Sequence, residues 1–188
     1  MIRAFAAIDM PDDIRAALVR VQESLPVKRP VPPENLHLTL VFLGELPEPV
    51  LDDVHLAFSA INPPGFDLTL DGLGLFGGGR PRLAYAGVGE SAELRHLQSK
   101  LEQAARGAGA SIERRRYTPH VSLAYLDPTA SGRDRLERAI AARADFRAGP
   151  FPVTGFGLYR SDLGHGSACY TELVHYPLSA PRRDTYVP

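Results

Sequence analysis

One short pattern occurs twice in the chain, and it constrains the fold more than any other feature. The first copy is HLTL at 37–40, inside PENLHLTLVFLG, and the second is HVSL at 120–123, inside RRYTPHVSLAY. Each copy alternates histidine, apolar, hydroxyl and apolar residues, which is typical of a half-buried β-strand. Because strand side chains alternate between two faces, the histidine and the hydroxyl of each copy share one face. The sequence therefore predicts two strands, each with one face in the core and one face open for chemistry.

Two such strands placed side by side would surround one cleft with two imidazoles, His37 and His120, and two hydroxyls, Thr39 and Ser122. Opening a cyclic phosphodiester needs a base that deprotonates water and an acid that protonates the departing oxygen. Histidine titrates near neutral pH, so one ring can be neutral while the other is protonated. The hydroxyls can donate hydrogen bonds to phosphate oxygens as charge develops. We therefore expect a phosphate site at this cleft.

Two other interpretations compete for the paired histidines. A single histidine on a strand is most often structural, but burying a polar ring twice in apolar strands is costly. Neither motif has a second histidine, cysteine or carboxylate at metal-ligand spacing, and hydroxyls are poor zinc ligands. The sequence therefore predicts no metal site at these histidines. The remaining histidines are predicted to be structural: His55, His96, His165 and His175.

Composition limits the class of protein. With 188 residues, 44% of them hydrophobic and 23% charged, we expect a single globular domain over 1–188. The net charge of -1 argues against a protein that coats nucleic acid, although a local basic patch stays possible. A single cysteine, Cys169, excludes an internal disulfide and favours a reducing compartment. Without a signal-like start or a long apolar run, the chain is predicted to be cytoplasmic.

Periodicity predicts an α+β fold in which each motif strand is followed by a helix and two more strands, as in two pseudo-symmetric lobes. Gly44 is predicted to end the first motif strand, 77–79 to form a hairpin loop, and Asp127-Pro128 to precede the last helix. Strands are predicted near 2–9, 36–43, 66–76, 82–88, 120–125, 151–159 and 168–177, and helices after Pro11, Pro47 and Ser91 and over 133–143.

A run of three arginines, 114–116, comes just before the second motif. Such a run is either a solvated edge or a place that holds an RNA phosphate, and the sequence leaves both open.

At these motifs the chain resembles the two-histidine (2H) phosphoesterases, and more narrowly the RNA 2′,3′-cyclic phosphodiesterases, which are also known as 2′-5′ RNA ligases. The segments that carry the resemblance run almost end to end: RAFAAIDMP, PENLHLTLVFLG, PRLAYAGV, YTPHVSLAY and LYRSDLGHGSACYTEL. The resemblance implies a bilobal fold with antiparallel sheets lining a central cleft, helices outside, and no metal or nucleotide cofactor. It also implies His37 as proton donor, His120 as proton acceptor, and Thr39 and Ser122 as phosphate ligands.

The chain departs from this family pattern at three positions. Val41 and Tyr125 stand where relatives commonly carry basic residues, and Ser122 replaces the more usual threonine while keeping a donor. Arg116 or another arginine is then expected to supply the charge, and Tyr125 to stack on a base.

The expected function is metal-independent hydrolysis of a terminal 2′,3′-cyclic phosphate, on RNA or a nucleotide, to a 2′-phosphate. The resemblance also allows 2′-5′ ligation. We expect a monomer with no membrane contact and no obligate protein partner. Two alternatives stay open: a module that binds RNA ends or phosphate without turnover, and a 2H enzyme for a small-molecule cyclic phosphate.

Overall fold

A computed structural model of the protein describes residues 1–127, 132–163 and 168–180. Pro128 and His165 lie outside the described residues. Within them are eight strands, four α-helices and one short 3₁₀ helix. The strands are β1 Ile2–Asp9, β2 His37–Leu46, β3 Phe66–Phe76, β4 Leu83–Val88, β5 His120–Tyr125, β6 Arg147–Val153, β7 Gly155–Leu163 and β8 Ala168–Pro177. The helices are α1 Asp12–Ser24, α2 Glu48–Ser59, α3 Ala92–Gly107 and α4 Arg133–Ala141, and the 3₁₀ helix is Pro33–Asn35.

The predicted helix starts are confirmed where local chemistry sets them. Pro11 precedes α1 and Pro47 precedes α2, as expected of a residue with fixed φ at a helix entry. The Ser91 hydroxyl caps α3 by accepting a hydrogen bond from the Leu94 amide at 3.1 Å. The 3₁₀ helix Pro33–Asn35 was not predicted, and it turns the proline-rich segment into β2.

All eight strands belong to one antiparallel sheet in the order β6-β3-β4-β5-β2-β1-β7-β8. We call β2, β1, β7 and β8 the first lobe, and β5, β4, β3 and β6 the second lobe. The lobes meet where the two motif strands pair, at Leu38 and Val121. The predicted α+β fold with two antiparallel lobes around the motif strands is confirmed.

The hydrophobic core lies on one face of this sheet. All four apolar residues of the two motifs are buried there: Leu38, Leu40, Val121 and Leu123. Helix α1 packs against β5 and β6, α3 against β2, α4 against β3, and α2 against both α3 and β8. Because the helices occupy one face, the histidine-bearing face of the motif strands is left open. Among the described residues, no helix combines the length and apolar character needed to cross a membrane.

Three details differ from the sequence prediction. Gly44 does not end β2: it adopts a positive φ of 74° at an irregularity in the β1–β2 pairing, and the strand continues to Leu46. The single strand predicted over 151–159 is two strands, because the chain leaves β3 at Val153 and pairs with β1 and β8 from Gly155. The sequence repeat also differs from the spatial lobes, since β3 and β4 follow the first motif yet pair in the second lobe.

Candidate active site

The two motif histidines are held by the same backbone contact. His37 Nδ1 lies 2.7 Å from the Asn35 carbonyl oxygen, and His120 Nδ1 lies 2.8 Å from that of Thr118. A carbonyl oxygen can only accept, so each Nδ1 carries a hydrogen and donates it. In the neutral ring, Nε2 is therefore the nitrogen left to take up or release a proton. Both rings line one cleft of about 830 Å³.

The two hydroxyls line the same cleft as the rings but make different contacts. Because Leu38 pairs with Val121 in antiparallel strands, His37 is level with Ser122 and Thr39 is level with His120. Thr39 Oγ1 lies 3.0 Å from His37 Nε2, and it donates to that nitrogen when the ring is neutral. Ser122 lines the cleft without an equivalent bond to His120 among the described residues.

Both imidazoles have a pKa below the ordinary histidine value, and burial is the main cause. Their remaining influences differ. For His37, the Asn35 carbonyl and the charge of Asp9 raise the pKa, and the proximity of His120 lowers it. For His120, the Thr118 carbonyl raises the pKa and the charge of Arg115 lowers it. The neighbouring charges therefore favour the protonated form at His37 and the neutral form at His120.

All six residues singled out in the sequence line this cleft: His37, Thr39, Arg116, His120, Ser122 and Tyr125. Tyr125 is half exposed, and Arg116 is exposed beside Arg115, which also lines the cleft. Val41 is only 3% exposed and belongs to the core, so a basic side chain at this position would be buried. Arg3, on β1, is a third arginine of the cleft and was not predicted from the sequence.

Two histidines facing one cleft from paired strands agree with what a family comparison finds. Residues 10–165 match the model of the 2′-5′ RNA ligase superfamily. The chain belongs to this superfamily. The resemblance noted from the two motifs is thereby confirmed.

Several members of the 2′-5′ RNA ligase superfamily are similar over most of their length. An RNA 2′,3′-cyclic phosphodiesterase of Escherichia coli is 33% identical, covering 94% of this chain and 97% of that protein. One from Thermus thermophilus is also 33% identical, covering 94% and 90%. The crystal structure of E. coli LigT in apo form superimposes with a TM-score of 0.78 and 30% identity, covering 95% and 98%. LigT has also been crystallised with 3′-AMP and with phosphate.

In this superfamily member, aromatic rings form the walls around both histidines. The His37 ring stacks on Phe5 at 4.9 Å between centroids and meets the edge of Tyr170 at 5.2 Å. The His120 ring lies edge-on to Phe76 at 4.9 Å and to Tyr85 at 5.6 Å. These walls account for the burial that lowers both pKa values. The motifs alone did not reveal them, because each ring comes from another strand of the sheet rather than from a motif.

Two further residues hold the motif strands in place. The buried Asn35, whose carbonyl fixes His37, donates from its side-chain amide to the Ala168 carbonyl at 2.7 Å. The Tyr117 hydroxyl donates to the Thr39 carbonyl at 3.1 Å and so links the two motifs, and burial raises its pKa. Asn35 precedes His37 by two residues, and Tyr117 precedes His120 by three. This proximity to the motifs is the only indication of their role in the sequence.

The other described histidines lie outside the cleft. His55 Nδ1 lies 2.8 Å from the Tyr176 hydroxyl, and His175 Nδ1 lies 3.1 Å from a Glu172 carboxylate oxygen. His96 is exposed on α3. Within residues 1–127, 132–163 and 168–180, no three histidine, cysteine, aspartate or glutamate side chains are grouped in a way that could hold a metal ion.

Proposed function

We propose that this protein hydrolyses the terminal 2′,3′-cyclic phosphate of RNA to a 2′-phosphate, with His37 as proton donor and His120 as proton acceptor. The observation that carries the proposal is the matched pair of imidazoles. Each has its Nδ1 hydrogen fixed on a backbone carbonyl, and both rings line the same cleft. Relatives named RNA 2′,3′-cyclic phosphodiesterase, similar over nearly the whole chain, support the substrate class.

In the proposed reaction, water attacks phosphorus in line with the ribose O3′. His120 Nε2 takes the proton of the attacking water, and His37 Nε2 gives its proton to O3′ as the P–O3′ bond breaks. A new P–O bond to the water oxygen forms, and the phosphate stays on O2′. Asp9 supports this division of roles because it favours protonated His37, and Arg115 supports it because it favours neutral His120.

Substrate binding is proposed to use the polar and aromatic lining. Thr39 and Ser122 would donate hydrogen bonds to the non-bridging phosphate oxygens, and Arg116 would add positive charge at the cleft. Tyr125, half exposed at one end of the cleft, would stack on the base of the reacting nucleotide. In this proposal residues 1–188 form one bilobal domain that acts as a cytoplasmic monomer on RNA ends without a cofactor, and 2′-5′ ligation is an additional activity.

The test is turnover in the presence of a chelator. Purified protein is incubated in EDTA with RNA ending in a 2′,3′-cyclic phosphate, and with 2′,3′-cyclic and 3′,5′-cyclic mononucleotides. Phosphorus NMR then identifies the products. We expect a 2′-phosphate from both 2′,3′-cyclic substrates and no reaction of the 3′,5′-cyclic nucleotide.

Three results would contradict the proposal. Loss of activity in EDTA with rescue by a divalent ion would overturn the two-histidine mechanism. Binding of RNA ends without turnover would instead indicate a recognition module, and turnover of other cyclic phosphates alone would indicate a different substrate class.

A further inference from the structure

The motif strand of the first lobe contains a β-bulge directly after its hydroxyl residue. Pairing with β1 shifts from Ala7–Thr39 to Ala6–Val41, so that Leu40 is an extra residue. Leu40 and Val41 are consequently both buried. The next residue, Phe42, returns to the open face of the strand, where it lines the cleft and is 40% exposed.

The motif strand of the second lobe contains the same irregularity at the same place. Pairing with β4 shifts from Tyr85–Ser122 to Ala84–Ala124, so that Leu123 is an extra residue. Leu123 and Ala124 are both buried, and Tyr125 then returns to the cleft with 50% exposure. Each motif thus presents an exposed aromatic ring five residues after its histidine.

The two exposed rings lie at opposite ends of the cleft. Since β2 and β5 are antiparallel and pair at Leu38 and Val121, Phe42 and Tyr125 lie in opposite directions from that pairing. At a rise of about 3.3 Å per residue, each is roughly 13 Å along its strand from the pairing. A single nucleoside placed beside the phosphate site reaches one of the rings but not both.

The register also places each histidine nearer to one of the rings. His120 is level with Thr39 and so lies toward Phe42, whereas His37 is level with Ser122 and lies toward Tyr125. In the proposed reaction, His120 deprotonates the nucleophile and His37 protonates the leaving ribose oxygen. The nucleophile therefore enters from the Phe42 end, and the ribose that carries the cyclic phosphate lies at the Tyr125 end.

At its end of the cleft, the exposed Phe42 ring is in contact with an arginine. The Arg3 guanidinium carbon lies 5.0 Å from the centroid of the Phe42 ring, in a cation–π arrangement, and Arg3 also lines the cleft. An aromatic ring held by an arginine beside a phosphate site commonly stacks on a nucleobase, whichever base it is. Attack by water does not require such a platform, whereas an attacking nucleoside could stack on it.

We propose that Phe42, held by Arg3, is a stacking platform for a second nucleoside, whose 5′-hydroxyl takes the place of water. This inference rests on the proposed function. In the step that it predicts, O5′ attacks the cyclic phosphate and its proton passes to His120. The P–O5′ bond forms, the P–O3′ bond breaks, and O3′ takes the proton of His37. The product is a 2′-5′ phosphodiester. The platform therefore sets how the protein divides one substrate between hydrolysis and transfer.

The experiment measures that division directly. A 2′,3′-cyclic mononucleotide is incubated with a 5′-hydroxyl dinucleotide as acceptor, and chromatography separates the 2′-phosphate from the 2′-5′-linked product. We expect Phe42→Ala to lower the ratio of transfer to hydrolysis about tenfold, within the range found for single base–aromatic stacks. Arg3→Leu should lower the ratio about two- to fivefold, and Phe42→Tyr should keep it near the wild-type value.

Leu56→Ala is the matched control, because Leu56 is 66% exposed on α2 and does not line the cleft. This control should leave the ratio unchanged. If Phe42→Ala lost both products in parallel, Phe42 would have a structural role only. If the ratio of transfer to hydrolysis were unchanged, Phe42 would not be a stacking platform. Wild-type hydrolysis without transfer at millimolar acceptor would overturn this inference and the additional 2′-5′ ligation, while the proposed hydrolysis of the cyclic phosphate stands. Absence of both activities would overturn the proposed function itself.

Discussion

The two motif strands carry the same framework but differ in their charged neighbours. In both, the histidine donates from Nδ1 to the carbonyl two residues earlier, and aromatic rings bury it. Asp9, paired in register with His37, raises the pKa of that ring, whereas Arg115 lowers the pKa of His120. The motif thus builds two similarly held imidazoles, and in the proposed mechanism residues outside the motif give them different roles.

The strongest test of this comparison removes each ring. His37→Ala and His120→Ala should each lower kcat/KM about 10²- to 10⁴-fold, since each deletes one proton transfer. The double variant should lose less than the product of the two effects, because the rings act as a unit. His96→Ala, at an exposed position of α3, is the matched control and should retain full activity. Circular dichroism checks that all variants are folded, and normal turnover in either cleft variant would remove that histidine from the pair.

A second test compares the two hydroxyls. Thr39→Val and Ser122→Ala each delete one proposed donor to the charged phosphate. Such a bond contributes about 1.5–3 kcal/mol, so kcat/KM should fall about ten- to a hundredfold. The Thr39 variant should show the larger decrease in kcat/KM, because the Thr39 hydroxyl also forms a hydrogen bond with His37 Nε2. Thr171→Val, on an exposed part of β8, serves as the control.

The same measurement in a Tyr125→Arg background sharpens the comparison of the hydroxyls. An arginine at this end of the cleft would supply charge to the phosphate, so each hydroxyl deletion should cost less there. Hydroxyl variants that behave like the wild type in both backgrounds would show that other groups hold the phosphate.

A third test concerns pH. Activity requires a neutral base and a protonated acid, so the rate rises through the pKa of His120 and falls through that of His37. Burial lowers the pKa of both rings. The pH optimum should therefore be lower than it would be for two histidines with ordinary pKa values. Asp9→Asn removes a charge that raises the pKa of His37, so the falling limb should move to lower pH. Arg115→Gln removes a charge that lowers the pKa of His120, so the rising limb should move to higher pH.

The two substitutions should therefore narrow the bell-shaped profile from opposite sides. The measurement is kcat/KM for a 2′,3′-cyclic nucleotide across the pH range, with Asp53→Asn, an exposed carboxylate on α2, as the control. Movement of the same limb by both variants would mean that one histidine alone sets the profile, and the assignment of roles would have to be abandoned.

The sequence predicted the motif strands because their alternation is local. The period of two separates His37 and Thr39 from Leu38, and the structure buries Leu38 while His37 and Thr39 line the cleft. The placement of Phe5 and Phe42 could not be predicted in the same way. Phe5 reaches His37 from a neighbouring strand, and Phe42 faces the cleft only because a bulge breaks the alternation.

Strand pairing was also beyond the reach of local patterns. The segment 151–159 has strand-like composition throughout, but its two parts pair with different neighbours and so form two strands. Similarly, β3 and β4 follow the first motif yet join the lobe of the second. Such pairings depend on which surfaces meet in the folded chain, which a sequence read residue by residue does not specify.

The smallest expected effect concerns the contact that ties the two motif strands together. Tyr117→Phe removes the hydrogen bond to the Thr39 carbonyl and should cost about 0.5–1.5 kcal/mol in the free energy of unfolding. Because the Thr39 backbone is then less firmly placed, kcat/KM should also fall about two- to fivefold, or about 0.4–1 kcal/mol of transition-state stabilisation. Tyr176→Phe is the matched control, since it removes the hydroxyl contact with His55 outside the cleft. Thermal unfolding should show similar losses of stability in the two variants, while only Tyr117→Phe lowers the rate. Equal rates in both variants would mean that the link between the motif strands stabilises the fold without aligning the proposed acid and base.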